Sequence, residues 1–372
     1  MKLKTKRKKL SVKKVNKPMP QRIEVEKPEV EVPAEVIDTK TTALDKVLET
    51  ALDISNRCSD HVVKVANSST VELQDDLSLI YRDISGDRRK CGLSRYALSQ
   101  FGSKIGVPAN YLEKCVNKGR PDIAQYNVNA WLADYNKPLL MREYQTEDGE
   151  DTIRGVLSDK YAICDTPEII EGIDKTLDLG TFNLKGSFVS PERFHLRLAE
   201  KSKMPVDGED LFAGMSIDSS DVGKSTLSVN FLVFKQVCTN GLIVNRSSTQ
   251  LFKQKHIGIT ADAFRLGLSE GIELFPKITE KIVRSIERTR NSDSPFDFNY
   301  EDDEQLADLV LGIRKQTDLS PIHAQNVVDI MTSGRYEQNR WGYINALTEV
   351  AQSLTLEKRL LLEENAGRLL VA

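Results

Sequence analysis

Two neighbouring segments of the chain alternate apolar and polar residues, and basic side chains occupy several of the polar positions. The segments 182–188 and 193–199 are separated by a turn around Ser190 and Pro191, a pattern that predicts a β-hairpin. Side chains alternate between the two faces of a strand, so one face is expected to be apolar and the other basic. The apolar face would hold Phe182, Leu184, Phe188, Phe194, Leu196 and Leu198. The basic face would hold Lys185, Arg193, His195 and Arg197.

A row of cations two residues apart suits a row of phosphates, so the basic face predicts a solvent-exposed nucleic-acid surface. Ser228 and Asn230 would extend this row from a neighbouring strand. The alternative is an ordinary solvated face, because antiparallel sheets commonly keep one polar face in water. Aromatic side chains that stack on bases, which single-strand binders usually add, are not evident on this face.

The segment D-V-G-K-S-T, residues 221–226, resembles part of a phosphate-binding loop. A Walker A loop needs glycine at position 218, where this chain has Asp218, and it must lead into a helix. Here a predicted strand follows, so the helix dipole that would hold the phosphate is missing. A nucleoside-triphosphate loop is therefore rejected, and a β-turn with an exposed Lys224 is expected instead.

The histidines and cysteines do not form a recognisable catalytic or metal pattern. His61, His195, His256 and His323 do not share metal-ligand spacing with one another, with a cysteine or with an acid, so no metal or cofactor is expected. Cys238 is interpreted as a buried structural thiol, with a nucleophile as the alternative. An enzyme remains an open alternative, and its site would involve Asp218, Asp221, Lys224, Cys238, Asn240 and His256.

Charge is distributed unevenly along the chain. Residues 1–17 contain nine lysines and arginines and no acid, whereas the whole chain of 372 residues sums to −3. The other 355 residues therefore sum to −12. This asymmetry predicts an interaction arm attached to an acidic body, and the alternative is a solubilising tail. The arm residues expected to contact nucleic acid are Lys6, Arg7, Lys8 and Lys9.

The composition favours a soluble cytoplasmic protein. No stretch approaches 18 consecutive apolar residues, so no membrane span is expected, and the basic N-terminus lacks the apolar segment of a secretory signal. Five scattered cysteines without a C-x-x-C pair are typical of a reducing compartment.

The order of elements predicts an α+β protein, with an antiparallel sheet, helices packed around it and a helical C-terminal region. We expect a disordered basic arm and linker in 1–40, a mainly helical region in 41–150, the antiparallel sheet core in 151–260 and helices in 261–372. Early helices are expected after a cap at Thr42, continuing to about residue 66, and as a helical hairpin over 94–117. Later strands are expected at 153–157, 227–234 and 241–244, after and around a helix at 167–177. The C-terminal helices are expected at 261–290, 302–316, 321–332, 339–353 and 356–370.

The helical hairpin over 94–117 has two interpretations. Gly106 would end its first helix, Pro108 would begin the second, and Gly102 would lie where the two helices cross. The spacing fits a DNA-reading helix-turn-helix, but any packed helical hairpin needs the same apolar positions. A plain core hairpin is favoured, because the exposed residues of the second helix are not strongly basic.

Several segments resemble a known family. They are V-L-S-D-K-Y-A-I-C-D (156–165), G-M-S-I-D-S-S-D-V-G-K-S-T-L-S-V (214–229), V-C-T-N-G-L (237–242), K-H-I-G (255–258) and R-W-G-Y-I-N-A-L-T-E (340–349), with G-V-P-A-N-Y-L (106–112) upstream. In order and spacing they resemble the phage- and plasmid-borne proteins grouped as domain of unknown function nine-three-two. Asp218 and Asp221 depart from that pattern, in which Asn and Glu are expected.

The resemblance implies a mobile-element context and carries no catalytic residues with it. We therefore expect a non-enzymatic, nucleic-acid-associated accessory protein, with single-stranded DNA binding or annealing as its most concrete form. The rival hypothesis is an oligomeric interaction protein, for example a homo-oligomer, anchored by Tyr336, Trp341 and Tyr343. For these three aromatic residues, ordinary core positions are the favoured interpretation.

Overall fold

The computed structural model describes residues 44–65, 70–235, 240–244, 249–256 and 258–371. All of them belong to one compact unit, Glu31–Ala372. The helices of the described residues are α1 Leu44–Asn56, α2 Arg95–Ile105, α3 Ala109–Asn117, α4 Pro121–Ala133, α5 Thr166–Thr176, α6 Ala261–Arg290, α7 Asp303–Thr317, α8 Pro321–Thr332, α9 Arg340–Ala351 and α10 Leu356–Leu370. The strands are β1 Cys58–Lys64, β2 Val71–Leu73, β3 Leu79–Arg82, β4 Arg88–Leu93, β5 Pro138–Gln145, β6 Asp151–Ser158, β7 Phe182–Val189, β8 Phe194–Lys203, β9 Leu211–Ser219, β10 Leu227–Lys235, β11 Asn240–Val244 and β12 Gln250–Gln254.

The strands form two sheets, which confirms the expected α+β class. The first sheet has the order β1-β5-β6-β4-β3-β2 and is antiparallel except for the β4–β6 pair. The second has the antiparallel order β11-β10-β9-β8-β7, and β12 pairs with β10 beyond the end of β11. The region 44–150 supplies five strands as well as four helices, and β6 joins that first sheet across the boundary expected at 150/151.

Most local predictions are confirmed, with the largest agreement at the C-terminus. The helices α6 to α10 match the predicted spans to within two residues at each end. In the helical hairpin, Gly106 ends α2 with a φ of 82°, and a Cβ on Gly102 would lie 2.2 Å from the carbonyl oxygen of Val107. Because glycine has no Cβ, it permits the left-handed turn at Gly106 and the close crossing at Gly102.

One early helix is shorter than expected. The α1 helix ends at Asn56, and the chain continues as β1, which pairs with β5 along its full length. The segment 58–64 has no strong local preference for either structure, so pairing in the sheet decides its conformation. The sequence analysis also missed α4, β4, β5, β9 and β12.

A β-bulge in β7 changes which residues share a face of the hairpin. Leu184 lies opposite Leu198 and Gly186 lies opposite Arg197, so Lys185 is the extra residue. An inserted residue reverses the alternation beyond it. Phe188 therefore lies opposite His195 and not with the apolar residues, whereas Ser187 lies opposite Leu196. The expected place of Phe188 on the apolar face is wrong for this reason.

The second sheet is covered on both faces. Its apolar face packs in the main core, which includes residues of α5, α6, α8 and α9. The opposite face, which we call the inner polar face, is covered by α10. Gly367 permits this contact, because a Cβ there would lie 2.0 Å from the carbonyl oxygen of Ile243 in β11.

We expect Gly367→Ala to lower the free energy of unfolding by about 1–3 kcal/mol, because the added methyl must separate α10 from β11. The loss should appear even though alanine favours helix by about 1 kcal/mol over glycine. Thermal or denaturant unfolding measures the change. Lys358→Ala, at an exposed position of the same helix, is the matched control and should stay within about 0.5 kcal/mol of wild type. If Gly367→Ala is as stable as wild type, α10 does not pack this closely against β11.

Candidate functional site

The basic residues of the hairpin are buried. His195 and Arg197 are 3% and 4% exposed, and Arg193 is largely covered. The expectation that Arg193, His195 and Arg197 form a solvent-exposed row is therefore wrong. The cause is α10, which lies over the inner polar face and places Glu363 against Arg197.

The buried cations form one connected chain of hydrogen bonds with two acids. Glu363, which is fully buried, accepts from both terminal nitrogens of Arg197 and from Nε of Arg359 at 2.9 Å. Arg197 Nε donates to His195 Nε2 at 3.1 Å. Asp218 Oδ2 then lies 3.1 Å from His195 Nδ1 and 2.9 Å from Arg193 Nη2. Each charge has an opposite charge or a hydrogen bond, as a buried charge requires.

These hydrogen bonds determine which nitrogen of His195 carries the ring proton. Because Nε2 accepts a hydrogen bond from Arg197 Nε, the ring proton must be on Nδ1, which donates a hydrogen bond to Asp218. Burial lowers the pKa of His195, and the nearby charge of Arg197 lowers it further, against the opposing effect of Asp218. Burial alone would raise the pKa of Asp218, but His195 and Arg193 outweigh it and lower that pKa. The pair resembles a catalytic His–Asp dyad, yet the nitrogen that a general base would use is occupied.

Lys185 and Lys224, the two lysines predicted to contact nucleic acid from the folded part of the chain, lie in different places. Lys185 Nζ is 4.8 Å from the centre of the Phe234 ring, a cation–π distance. Lys224 Nζ is 3.1 Å from Glu357 and 3.6 Å from Glu192. Lys6, Arg7, Lys8 and Lys9 lie outside the described residues.

A polar cavity of about 230 Å³ lies on the inner polar face beside this chain of charges. We call it the sheet–helix cavity, because its wall comes from β8, β9 and β10 on one side and from α10 on the other. The lining side chains are polar except for Ile243 and Leu360. They include Arg193, His195, Ser216, Asp218, Ser225, Thr226, Ser228, Asn230, Lys253 and Glu364. Ser228 and Asn230 thus lie near the hairpin cations, as the sequence predicts, but in a cavity and not on an open surface.

A second group of buried charges joins the two sheets. Arg142 in β5 is 1% exposed and makes paired hydrogen bonds to Asp60 in β1 (2.8 and 3.0 Å) and to Asp165 before α5 (2.7 and 2.6 Å). It also donates to the backbone oxygen of Asp221 at 2.5 Å. Arg154 in β6 lies 3.4 Å from the Asp221 carboxylate. The sequence gives no local sign of this group, because its members come from five separate segments.

Asp221 is an unusual acid in this group. Its Oδ1 accepts from the backbone nitrogen of Thr166 at 3.1 Å and from the Thr166 hydroxyl at 3.0 Å. Burial, followed by the nearby charge of Asp165, raises the pKa of Asp221 to about 6, although both arginines oppose the rise. Asp221 is therefore expected to change charge near pH 6.

The residues of the enzyme hypothesis do not converge. Asp218 lines the sheet–helix cavity, Asp221 lies between the sheets, and His256 stacks on Tyr161 with ring centres 5.3 Å apart. Cys238 lies outside the described residues, and so does the side chain of Asn240. The described residues therefore do not assemble the site that this hypothesis requires.

One cluster has the composition of a metal site. The ligand atoms of Cys91, Glu143 and Asp151 lie within 4.8 Å of one another. Arg89 already lies between the acids, 2.7 Å from Glu143 and 3.3 Å from Asp151. Burial and the hydrogen bond to Glu143 raise the pKa of Cys91, so its thiol stays protonated and is a poor ligand. These residues form an internal charge network and do not suit a metal.

The aromatic residues proposed as interface anchors pack inside the chain. Tyr343 is fully buried and donates to Gln316 at 2.8 Å, and Trp341 is buried and donates to Glu209 at 2.9 Å. Tyr336 donates to Glu349 at 2.9 Å. Trp341 and Tyr343 therefore occupy core positions, the interpretation favoured for them over interface anchors, because α9 is enclosed in the core.

Comparisons with known proteins give no relative: no family model, curated protein or solved structure matches this chain. Among the described helices, none is both long and apolar enough to cross a membrane.

We expect Glu363→Gln to lower the free energy of unfolding by about 3–5 kcal/mol, because it leaves two arginines without a buried counter-charge. Chemical denaturation at neutral pH measures the loss. The control is Glu357→Gln, which removes an exposed acid from the same helix and should cost less than about 1 kcal/mol. Equal effects of the two substitutions would show that the buried pair does not hold α10.

Asp221 is expected to give stability an unusual pH dependence. Its folded pKa of about 6 lies above the ordinary 3.8, so its contribution is complete below about pH 4 and is lost as the pH rises through 6. From pH 4.5 to 7.5, wild type should therefore lose stability relative to Asp221→Asn, by on the order of 2 kcal/mol. Denaturation curves of both proteins across this range provide the measurement. Parallel pH profiles would contradict the raised pKa.

Proposed function

We propose that this chain is a nucleic-acid-associated accessory protein of a phage or plasmid, and that residues 1–17 make its main contact with the phosphate backbone. The observation that carries the proposal is the charge division: nine cations and no acid in this arm, against −12 in the remaining residues. Cations on such an arm neutralise phosphates and release counterions without needing a fixed geometry. The mobile-element context rests on the resemblance of the segments between 106 and 349.

The internal pairing of the hairpin cations favours the arm over the folded body. Arg197 is paired with Glu363, and Arg193 is paired with Asp218. A phosphate would have to displace the buried Glu363 to reach Arg197. Such displacement leaves a buried charge unpaired, which costs more than a phosphate contact returns. Of the cations predicted as contacts in the folded part, Lys185 and Lys224 are the two left near the surface, and Lys224 already lies within 4 Å of two acids.

Single-stranded nucleic acid is the favoured form of the partner. An acidic body is unsuited to wrapping a duplex, which presents one negative charge per about 1.7 Å of its axis. A short basic arm needs only a few consecutive phosphates, and a flexible single strand can supply them in many conformations.

Neutralising the arm should weaken binding to a labelled single-stranded oligonucleotide in low salt. The quadruple variant Lys6→Gln, Arg7→Gln, Lys8→Gln and Lys9→Gln removes up to four phosphate contacts. The slope of log K against log salt concentration should therefore fall by up to about 3, at about 0.7 for each contact with a single strand. Fluorescence anisotropy across a salt series provides both the affinity and the slope.

The matched control keeps the charge and exchanges the residue types: Lys6→Arg, Arg7→Lys, Lys8→Arg and Lys9→Arg. Its affinity and salt slope should resemble wild type, because the attraction depends on charge. Absence of binding by wild type in low salt would overturn the proposal. An affinity unchanged by neutralisation would place the contact elsewhere on the chain.

A further inference from the structure

The sheet–helix cavity contains polar atoms that the fold leaves without partners. Asp218 uses only Oδ2 for Arg193 and His195, so Oδ1 has no hydrogen-bond partner among the described residues. The hydroxyl of Ser216, which also lines the cavity, makes no hydrogen bond within the described part of the chain. Ser225 Oγ and Arg193 Nε are buried without a partner. Buried polar groups are normally satisfied, so these last two atoms indicate a site that water or a ligand completes.

The charges that line the cavity balance. Arg193 and Lys253 supply two positive charges, and Asp218 and Glu364 supply two negative ones, while His195 is neutral. A small anion would meet two carboxylates, and a small cation would meet two basic groups. The cavity is therefore best matched by a neutral ligand that both donates and accepts hydrogen bonds.

The volume of the cavity and the apolar part of its wall restrict the chemical class of the ligand further. A volume of about 230 Å³ is below the roughly 300–1,000 Å³ of sites for drug-sized molecules, so the group that the cavity encloses must be small. Leu360 from α10 and Ile243 from β11 give the cavity an apolar part beside its hydroxyls and carboxylates. A sugar ring has this division of surfaces, since its C–H groups are apolar and its hydroxyls are polar.

We propose that the sheet–helix cavity binds a neutral polyhydroxylated ligand of pentose size, a ribose ring with its vicinal diol directed at Asp218. The free Oδ1 of Asp218 accepts from one hydroxyl of the diol, as carboxylates do from the ribose 2′-hydroxyl in dinucleotide sites. The hydroxyls of Ser216 and Ser228 contact the ring oxygen and the remaining hydroxyls of the sugar. This site uses no residue of the basic arm, so its failure and the failure of the proposed function are distinguishable.

Isothermal titration of the full chain with D-ribose, 2-deoxy-D-ribose, adenosine and inorganic phosphate tests the proposal. Ribose should bind, and 2-deoxyribose should bind at least about tenfold more weakly, because one polar group of the site loses its partner. Adenosine distinguishes a nucleoside site from a site for the free sugar, and either outcome supports the ribose class. Binding of phosphate in place of ribose, or equal binding of the two sugars, would overturn it. Absence of binding by ribose and adenosine alike would also overturn it.

Two variants and a matched control locate the site. Ser216→Ala and Ser228→Ala should each weaken ribose binding by about tenfold, since each removes one hydrogen bond to the ligand. Ser187→Ala removes another buried hydroxyl without a partner, from the apolar face of the same sheet, and should leave ribose binding unchanged. Thermal unfolding shows whether all three variants retain the fold. Equal loss in the control and in the two cavity variants would place the ligand outside the cavity.

Discussion

The buried ion pair between Arg197 and Glu363 is the constraint on which this part of the molecule depends. A carboxylate with no solvent exposure is costly to desolvate, and only close contact with Arg197 and Arg359 offsets that cost. The helix that carries Glu363 must therefore lie on the inner polar face. Once it does, Arg197 is held against His195, and the orientation of His195 and Asp218 follows from the same chain of hydrogen bonds.

Small residues make this arrangement sterically possible. A Cβ on Gly241 would lie 2.8 Å from Arg197 Nη1, and a Cβ on Gly367 would touch the backbone of β11. Large charged side chains and glycines therefore share one face of the second sheet, the glycines providing the space in which the charges meet. Where serines stand on this face, as at Ser216 and Ser228, the space stays unfilled and forms the sheet–helix cavity.

The folded body uses many of its charges internally. Arg142 joins the two sheets through Asp60 and Asp165, while Glu143 takes hydrogen bonds from Tyr81 and Cys91. Such networks make a basic residue unavailable to an outside partner, because binding the partner would leave the displaced acid buried without its counter-charge. This is why the proposed contact with nucleic acid is assigned to the arm and not to the hairpin.

The sequence by itself determined the helices and hairpins whose formation depends on interactions between residues close together in the chain. The period of the apolar residues and the stop signals placed α6 to α10, the β7–β8 hairpin and the α2–α3 hairpin, because caps, turns and alternation act within a few residues. Only the tertiary structure decided whether the polar face of the hairpin meets water. Alternation states that Arg193, His195 and Arg197 share a face, but Glu363 lies 166 residues from Arg197, and no local pattern reports a partner at that distance. The bulge at Lys185 and the cavity above Ser216 arise in the same way, from pairing and packing between segments that are remote in the sequence.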